Sequence, residues 1–443
     1  MKAMILMAVA SVAAAQEPLT LKSAVATALQ SNPSVKAFAA ARDVTKSGIV
    51  EAKSGALPKV NYSESWTRSN NPVFVFSSLL TQHQFTQDNF ALPSLNNPNF
   101  LNNFQSQISV DQPLYDAGKT KRAVKIADMA DSSAVESQRG TKMSVIEQVA
   151  QAYYSARLGA AQLEVMTQAL RSAQADQERA ENRRSAGMAT DADVLSIRVH
   201  LAKVQEGRIQ RSADLEVARA ALNEAMGLPL ETSHELTTSL TGITLPETSL
   251  EVLEKAGVAE RPEVRQAELA QEIANAKHRD ARSSYLPQVY AHGAFEADRQ
   301  RFIDRGGSNW LVSIGLRWNL FNGSADKARI EASSAAIRQA DAERSRAESE
   351  VRLQIRQAWA NLRAATQRIE TERAAVEEAQ ESLRISQNRY EVGLVTVTDL
   401  LRTETALLET RTRVLAAIHD QRIAALLLQV AAGTLTADSE VLD

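Results

Sequence analysis

Gly187-Met188-Ala189-Thr190-Asp191-Ala192-Asp193 returns 206 residues later as Gly393-Leu394-Val395-Thr396-Val397-Thr398-Asp399, and the agreement runs without a gap from about Ile108 to Gly227. Gln151-Ala152-Tyr153 falls on Gln357-Ala358-Trp359, and Gly227 on Gly433. An upstream stretch repeats at a shift of 229: Pro33-Ser34-Val35 on Pro262-Glu263-Val264, then Leu57-Pro58-Lys59-Val60 on Leu286-Pro287-Gln288-Val289. The chain of 443 residues is therefore a tandem duplication, a first structural repeat over 16–230 and a second over 231–443. The two shifts, 229 against 206, give the first copy 23 extra residues, which locates a loop between its matching stretches.

Proline placement separates long helices from short extended segments. No proline lies between Pro113 and Pro229, and none follows Pro287. Lys119 to Ala186 is rich in Ala, Glu, Gln and Arg, with Val145, Val149, Ala152, Tyr153, Ala156, Ala160 and Leu163 recurring at spacings of three and four. This is a helix, about 100 Å long at ~1.5 Å per residue, and its copy is Ala325 to Val392. Gly187 and Gly393 stand where a helix end wants positive φ, and Thr190-x-x-Asp193 and Thr396-x-x-Asp399 have the form of capping boxes. Return helices then run from Thr190 to Met226 and from Thr396 to Ala432, so each copy is a helical hairpin with a tight tip. Such hairpins bury little alone, which predicts side-by-side packing with further copies.

The extended segments alternate instead. From Trp310 to Leu320 the even positions are Trp310, Val312, Ile314, Leu316, Trp318 and Leu320, and the odd positions include Ser313, Gly315, Arg317 and Asn319. Val289 to Ala297 alternates likewise, and Ile108, Val110 and Leu114 repeat the pattern in the first copy, as do Val60, Tyr62 and Trp66 with Glu64 as an exception. Strands of ~10 residues have the length of a tilted membrane strand. Val312, Ile314, Leu316 and Trp318 are expected to face lipid, and Ser313, Gly315, Arg317 and Asn319 a lumen. Four strands per chain cannot close a barrel, and lipid does not tolerate an open edge. Three copies supply twelve strands, wide enough for a water-filled passage. The fold class is thus mixed α and β: tandem-duplicated helical hairpins plus four strands per chain in a shared, trimeric, 12-stranded transmembrane barrel.

Residues 1–15 read as a signal peptide: Lys2 is its positive start, Ala3 to Val12 its apolar run, and Ala13-Ala14-Ala15 its cleavage site. The absence of cysteine excludes a disulfide frame and a lipid-bearing cysteine. A net charge of -3 gives no reason to expect nucleic acid. No later run approaches the ~18 consecutive apolar residues of a membrane helix. His83, His200, His234, His278, His292 and His419 are scattered without ligand spacing, and Gly306-Gly307 opens no phosphate loop, so neither a metal site, a cofactor nor an enzyme activity is expected. The insertion 70–103 mixes Phe74, Phe76, Leu79, Leu80, Phe85 and Phe90 with Asn and Pro, and is expected on the extracellular side, folded over the barrel mouth. A soluble periplasmic coiled-coil scaffold or adaptor accounts for the helices and the signal, but leaves four alternating strands in two matched pairs unexplained.

Leu19-Thr20-Leu21 through Asn32-Pro33, the Leu57-Pro58 and Leu286-Pro287 strand starts, Gln112-Pro113-Leu114-Tyr115 with Asn319-Leu320-Phe321, and the Gly-x-x-Thr-x-x-Asp tips together resemble the outer membrane efflux protein family, the TolC-like exit ducts. The resemblance implies a homotrimer in outer membrane lipid with a helical tunnel reaching through the periplasm. It implies a passive duct of a tripartite efflux or type I secretion system, met by a periplasmic membrane-fusion adaptor and an inner-membrane pump of RND or ABC type. In such proteins the glycine-centred tips receive the adaptor, here Gly187, Met188, Val392, Gly393 and Leu394. Asp193 and Tyr390 match a hydrogen-bonding gate pair linking neighbouring hairpins, whereas the family's gate arginine is Val395 here. Asp399 matches the first acidic ring, and the second ring position is Arg402. Lipid-anchored relatives begin with a modified cysteine, which this chain lacks.

Overall fold

A computed structural model describes residues 17–244 and 248–443, and the signal peptide expected over 1–15 lies outside the described residues. In chain order the elements are β1 (Glu17–Leu19), α1 (Leu21–Ser31), α2 (Pro33–Ser54), β2 (Lys59–Ser69), α3 (Pro72–Thr81), α4 (Leu92–Asn96), β3 (Leu101–Tyr115), α5 (Lys119–Ser185), α6 (Asp191–Met226), β4 (His234–Leu236), α7 (Leu250–Glu260), α8 (Pro262–Ser283), β5 (Gln288–Arg299), β6 (Gly307–Arg317), α9 (Ala325–Glu391) and α10 (Val397–Ala431). The two proline-free runs form unbroken helices of 67 residues each, α5 and α9. Pro33 and Pro262 stand at the first position of α2 and α8, where their missing N–H costs nothing.

Two compact units cut across the repeats, one of residues 17–41, 135–266 and 344–443, the other of 42–134 and 267–343. Both copies of the duplication contribute to each unit.

The first unit is helical. Its core gathers Leu21 and Val25 of α1, Val149, Tyr153 and Tyr154 of α5, Met226 of α6, Ile355 and Leu362 of α9, and Leu426 of α10. α10 has the length and apolarity of a membrane span, but half of that stretch is buried, and its apolar side completes this core. The core tyrosines are satisfied at their tips: Tyr153 donates to the Leu19 carbonyl at 2.8 Å and accepts from the Thr238 N–H at 2.9 Å, beside the parallel pair of β1 and β4. Gly227 and Gly433 show the duplication in three dimensions. Each ends its hairpin at positive φ, 73° and 72°. A Cβ at Gly227 would come within 3.0 Å of Asn32 and Ser31, and one at Gly433 within 2.9 Å of Glu260, so both copies need glycine where the hairpin touches the turn into α2 or α8.

The second unit carries an antiparallel sheet in the order β2-β3-β5-β6, with β2 and β6 as its edges. Its register confirms the alternation. Tyr62, Ile108, Phe295 and Trp310 form one cross-strand row and Val60, Val110, Gly293 and Val312 another, while Ser63, Gln107, Glu296 and Asn309 lie in a row on the opposite face. Val312, Ile314 and Leu316 are well exposed on the apolar face. Trp318 falls one residue past the end of β6, shorter than the strand expected to Leu320, and its indole N–H donates to the Tyr285 carbonyl at 3.0 Å. Leu311 shares the polar face, an exception that the pattern does not mark.

Glu64 is no defect in the apolar face. Its carboxylate pairs with Arg299 at 3.0 Å and accepts from Tyr62 at 2.8 Å, and Arg299 donates to Ser106 at 2.6 Å. The 23-residue excess of the first copy folds as α3, a 3-10 turn over Gln87–Phe90 and α4, knit by edge-on contacts of Phe85 with Phe76 and Phe90. It lies against the polar face of the sheet. Gln82 donates to Asn103 at 2.8 Å, Asn309 donates to the Thr81 carbonyl at 3.2 Å, and Asn103 donates to the buried Asp298 at 2.6 Å.

Candidate functional site

The hairpin tips are built twice by the same backbone chemistry. At the end of α5, Gly187 takes φ 75°. Its N–H reaches the Arg184 carbonyl at 2.9 Å and the Met188 N–H the Arg183 carbonyl at 2.8 Å. At the end of α9, Gly393 takes φ 77°, and Gly393 and Leu394 bond to the Tyr390 and Arg389 carbonyls at 3.1 and 2.9 Å. These paired bonds satisfy the last carbonyls of each helix, and only glycine turns the corner without strain. The return helices start from reciprocal caps. Asp193 accepts from the Thr190 N–H at 2.9 Å and from its hydroxyl at 2.8 Å, and Asp399 accepts likewise from Thr396 at 3.3 and 2.7 Å.

The tips leave little backbone polarity unpaired and present apolar side chains outward. Met188, Val392 and Leu394 are each about two-thirds or more exposed, and nothing lies within 4 Å of a Cβ built on Gly187 or Gly393. Behind them a small apolar cluster of Ala180, Val194, Ile197 and Val397, with Tyr390 and Leu401 against it, joins the two hairpins. Arg183 crosses between them: it donates to the Glu391 carbonyl at 3.0 Å, and its guanidinium lies 5.1 Å from the Tyr390 ring centroid. Arg184 with Asp191 at 2.6 Å and Arg198 with Glu181 at 2.8 Å brace the first hairpin.

The expected gate residues fall into this frame. Asp193 spends its carboxylate on the cap, and within the described residues Tyr390 meets its surroundings through its ring. Burial raises the Tyr390 pKa, with Arg183 opposing and Asp193 and Asp176 adding to the rise, so Asp193 and Tyr390 share one electrostatic neighbourhood. Asp399 is held below its ordinary pKa first by the hydrogen bonds from Thr396, with Arg402 contributing. Among the described residues no three His, Asp or Glu side chains are grouped to hold a metal. The sequence passes over Asp176 and Glu404 and leaves His200 as one of six scattered histidines, whereas the fold brings the three together behind the tips. Only Glu404 carries a signal in the sequence, a charge whose helical neighbours are Leu400, Leu401, Leu407 and Leu408.

The family model described as outer membrane efflux protein matches residues 24–228 and 256–434. Outer membrane efflux protein BepC of Brucella suis biovar 1 is 25% identical over 344 residues, covering 75% of this chain and 72% of that protein. The CmeC outer membrane channel of Campylobacter jejuni superposes with a TM-score of 0.79 at 14% identity, over 95% of this chain and 87% of that one. The outer membrane protein VceC of Vibrio cholerae does so with a TM-score of 0.76 at 19% identity, over 93% and 96%.

Proposed function

This chain belongs to the outer membrane efflux protein family, and from that premise we propose that three copies of it form the exit duct of a tripartite efflux system. It is an outer membrane protein that extends into the periplasm. The structures it resembles are channels rather than enzymes. The observation that carries the trimer is the sheet with its two unpaired edges, β2 and β6. They run in opposite directions in an all-antiparallel sheet, so β6 of one copy can pair with β2 of the next in continuous antiparallel order. Three repetitions close the ring and leave no edge in lipid. The apolar face then meets lipid through Val312, Ile314, Leu316 and Trp318, and the polar face lines the passage, with the 70–103 insertion lying in its mouth.

The exposed apolar tips at Gly187, Met188, Val392, Gly393 and Leu394 suit capture by a periplasmic adaptor, which links the duct to an inner-membrane pump of RND or ABC type. Asp193, Tyr390, Asp399 and Arg402 stand just behind these tips and serve as the gate. Val395 offers no ionic link at the position the family's gate arginine occupies, so closure relies on Arg183, Tyr390 and the apolar cluster. The test is the state of the purified protein in mild detergent: a trimer that dissociates on boiling and conducts ions in planar bilayers. A water-soluble monomer recovered from the periplasm would replace this reading with that of a soluble scaffold.

A further inference from the structure

Two or three helical turns above the tips, three side chains meet in the interior of the hairpin pair. Asp176 projects from α5, His200 from α6 and Glu404 from α10, with side-chain exposures of 6%, 13% and 11%. One carboxylate oxygen of Asp176, Oδ1, accepts from Arg179 on the next turn of its own helix. The other, Oδ2, is buried and receives no hydrogen bond from any donor in the described protein. Glu404 stands within hydrogen-bonding reach of Asp176, and His200 Nε2 lies 3.5 Å from Glu404 Oε2. A cavity of about 80 Å³ bordered by His200, Val204, Leu383, Gln387, Glu404 and Arg411 adjoins the group.

A buried acceptor without a donor costs ~1 to 3 kcal/mol, and two buried carboxylates side by side cannot both stay ionised. A proton on Glu404 resolves both difficulties, because its O–H supplies the donor that Asp176 Oδ2 lacks. We propose that Asp176 and Glu404 share a single proton that fastens α5 of the first hairpin to α10 of the second, and that losing it in alkaline surroundings releases this seam.

The surrounding charges agree. Arg179 on α5 neutralises Asp176. On α6, burial holds His200 below its ordinary pKa, with Lys203 adding to the fall and Asp176 opposing it, so the imidazole is neutral and does not balance a second carboxylate. On α9, Tyr390 interacts with Asp176 and Glu391 with Arg179, and neither a phenol nor a carboxyl can carry positive charge. Arg411 of α10 borders the cavity. Burial, then the hydrogen bond and charge of Asp176, push Glu404 up to about 8, with Arg179 opposing. The sign follows: a carboxyl whose folded pKa is raised lends its full stability below the ordinary value of 4.5, and loses it as pH climbs through about 8. The seam is therefore tightest in acid and loosest in alkali. The duplication supplies an internal contrast, because the positions 206 residues away are Ser382 for Asp176 and Arg198 for Glu404, which cannot share a proton in this way.

The full-length protein in detergent serves for the test, compared with Glu404→Gln, which keeps a donor that cannot titrate. Infrared difference spectra from about pH 6 to about pH 9.5 should show a protonated carboxyl band lost with a midpoint near 8 in the natural protein and missing from E404Q. Amide hydrogen exchange, corrected for its intrinsic pH dependence, should accelerate over the same interval around residues 172–180 and 400–408 in the natural protein alone. No such band, or the same band in E404Q, overturns the shared proton, and the natural protein decides this even where the variant fails to fold. A band with unchanged exchange overturns the seam. The proposal places the seam in a channel and so rests on the duct reading, but both readouts are independent of conduction. Absence of any ion current would refute the duct while leaving the proton decided. Where current is present, conductance of the natural protein should rise through the same interval and that of E404Q should not.

Discussion

The Arg183 guanidinium stacks on the Tyr390 ring, 5.1 Å from its centroid, and so ties the end of one 67-residue helix to the end of the other. A cation over an aromatic face contributes ~0.5 to 1 kcal/mol at an exposed site and more when dry. Repeated around a threefold axis, small links of this size add up. Arg183→Ala is therefore expected to raise single-channel conductance in planar bilayers. Tyr390→Phe, which keeps the ring, should raise it less unless combined with Asp193→Ala. An unchanged current in Arg183→Ala would mean that the tip is closed by other contacts.

The outward-facing tip residues give the docking prediction. Leu394→Asp places a charge on a side chain 73% exposed and should abolish efflux while the trimer and its membrane level stay normal. Gly393→Trp should do the same, since the space around Gly393 is open and the cost is confined to a side chain at positive φ, ~1 kcal/mol or more. Drug accumulation in cells, measured beside trimer abundance, checks both. Normal efflux in both variants would return the two glycines to capping alone.

Along β6, single cysteines are informative because the natural chain has none. A water-soluble thiol reagent should label positions 313, 315 and 317 and spare 312, 314 and 316 in the membrane. Uniform labelling would end the assignment of faces. Ile314→Arg should cost ~2 to 4 kcal/mol if it sits at mid-bilayer, read as a loss of heat-stable trimer.

Tyr153→Phe tests the helical core. The substitution leaves the Thr238 N–H without its acceptor and removes one of two donors to the Leu19 carbonyl, which keeps the Thr237 N–H at 3.1 Å, next to a fully buried ring. A loss of ~1 to 3 kcal/mol is expected in denaturant unfolding followed by the helical signal. A loss near zero would show that water takes over both bonds.

Local signals carried most of the architecture. Proline spacing set the long helices, glycine and Thr-x-x-Asp set the tips, and period-two alternation set the strands, because each of these acts within a few residues. What escaped depends on partners far along the chain. Glu64 looks misplaced until Arg299 arrives from the other repeat, and Asp176 meets Glu404 across 228 positions. The insertion gave its length but not its helices, since α3 and α4 are short and take their place from contacts such as Gln82 with Asn103. The two compact units were illegible for a related reason: each draws on both repeats, and a linear reading divides the chain where the duplication does.

The two copies also differ in a directional way. Gly227 and Gly433, Thr190 and Thr396, and Asp193 and Asp399 repeat the same backbone geometry, while Asp176 and Ser382, or Arg198 and Glu404, repeat the place but not the chemistry. A ring of three such chains has six similar seams in outline and two kinds in substance, alternating stiff with slack. With the proposed proton in place, such a ring is expected to yield first at its three slack seams, and a partner gripping all six tips alike would push against that alternation.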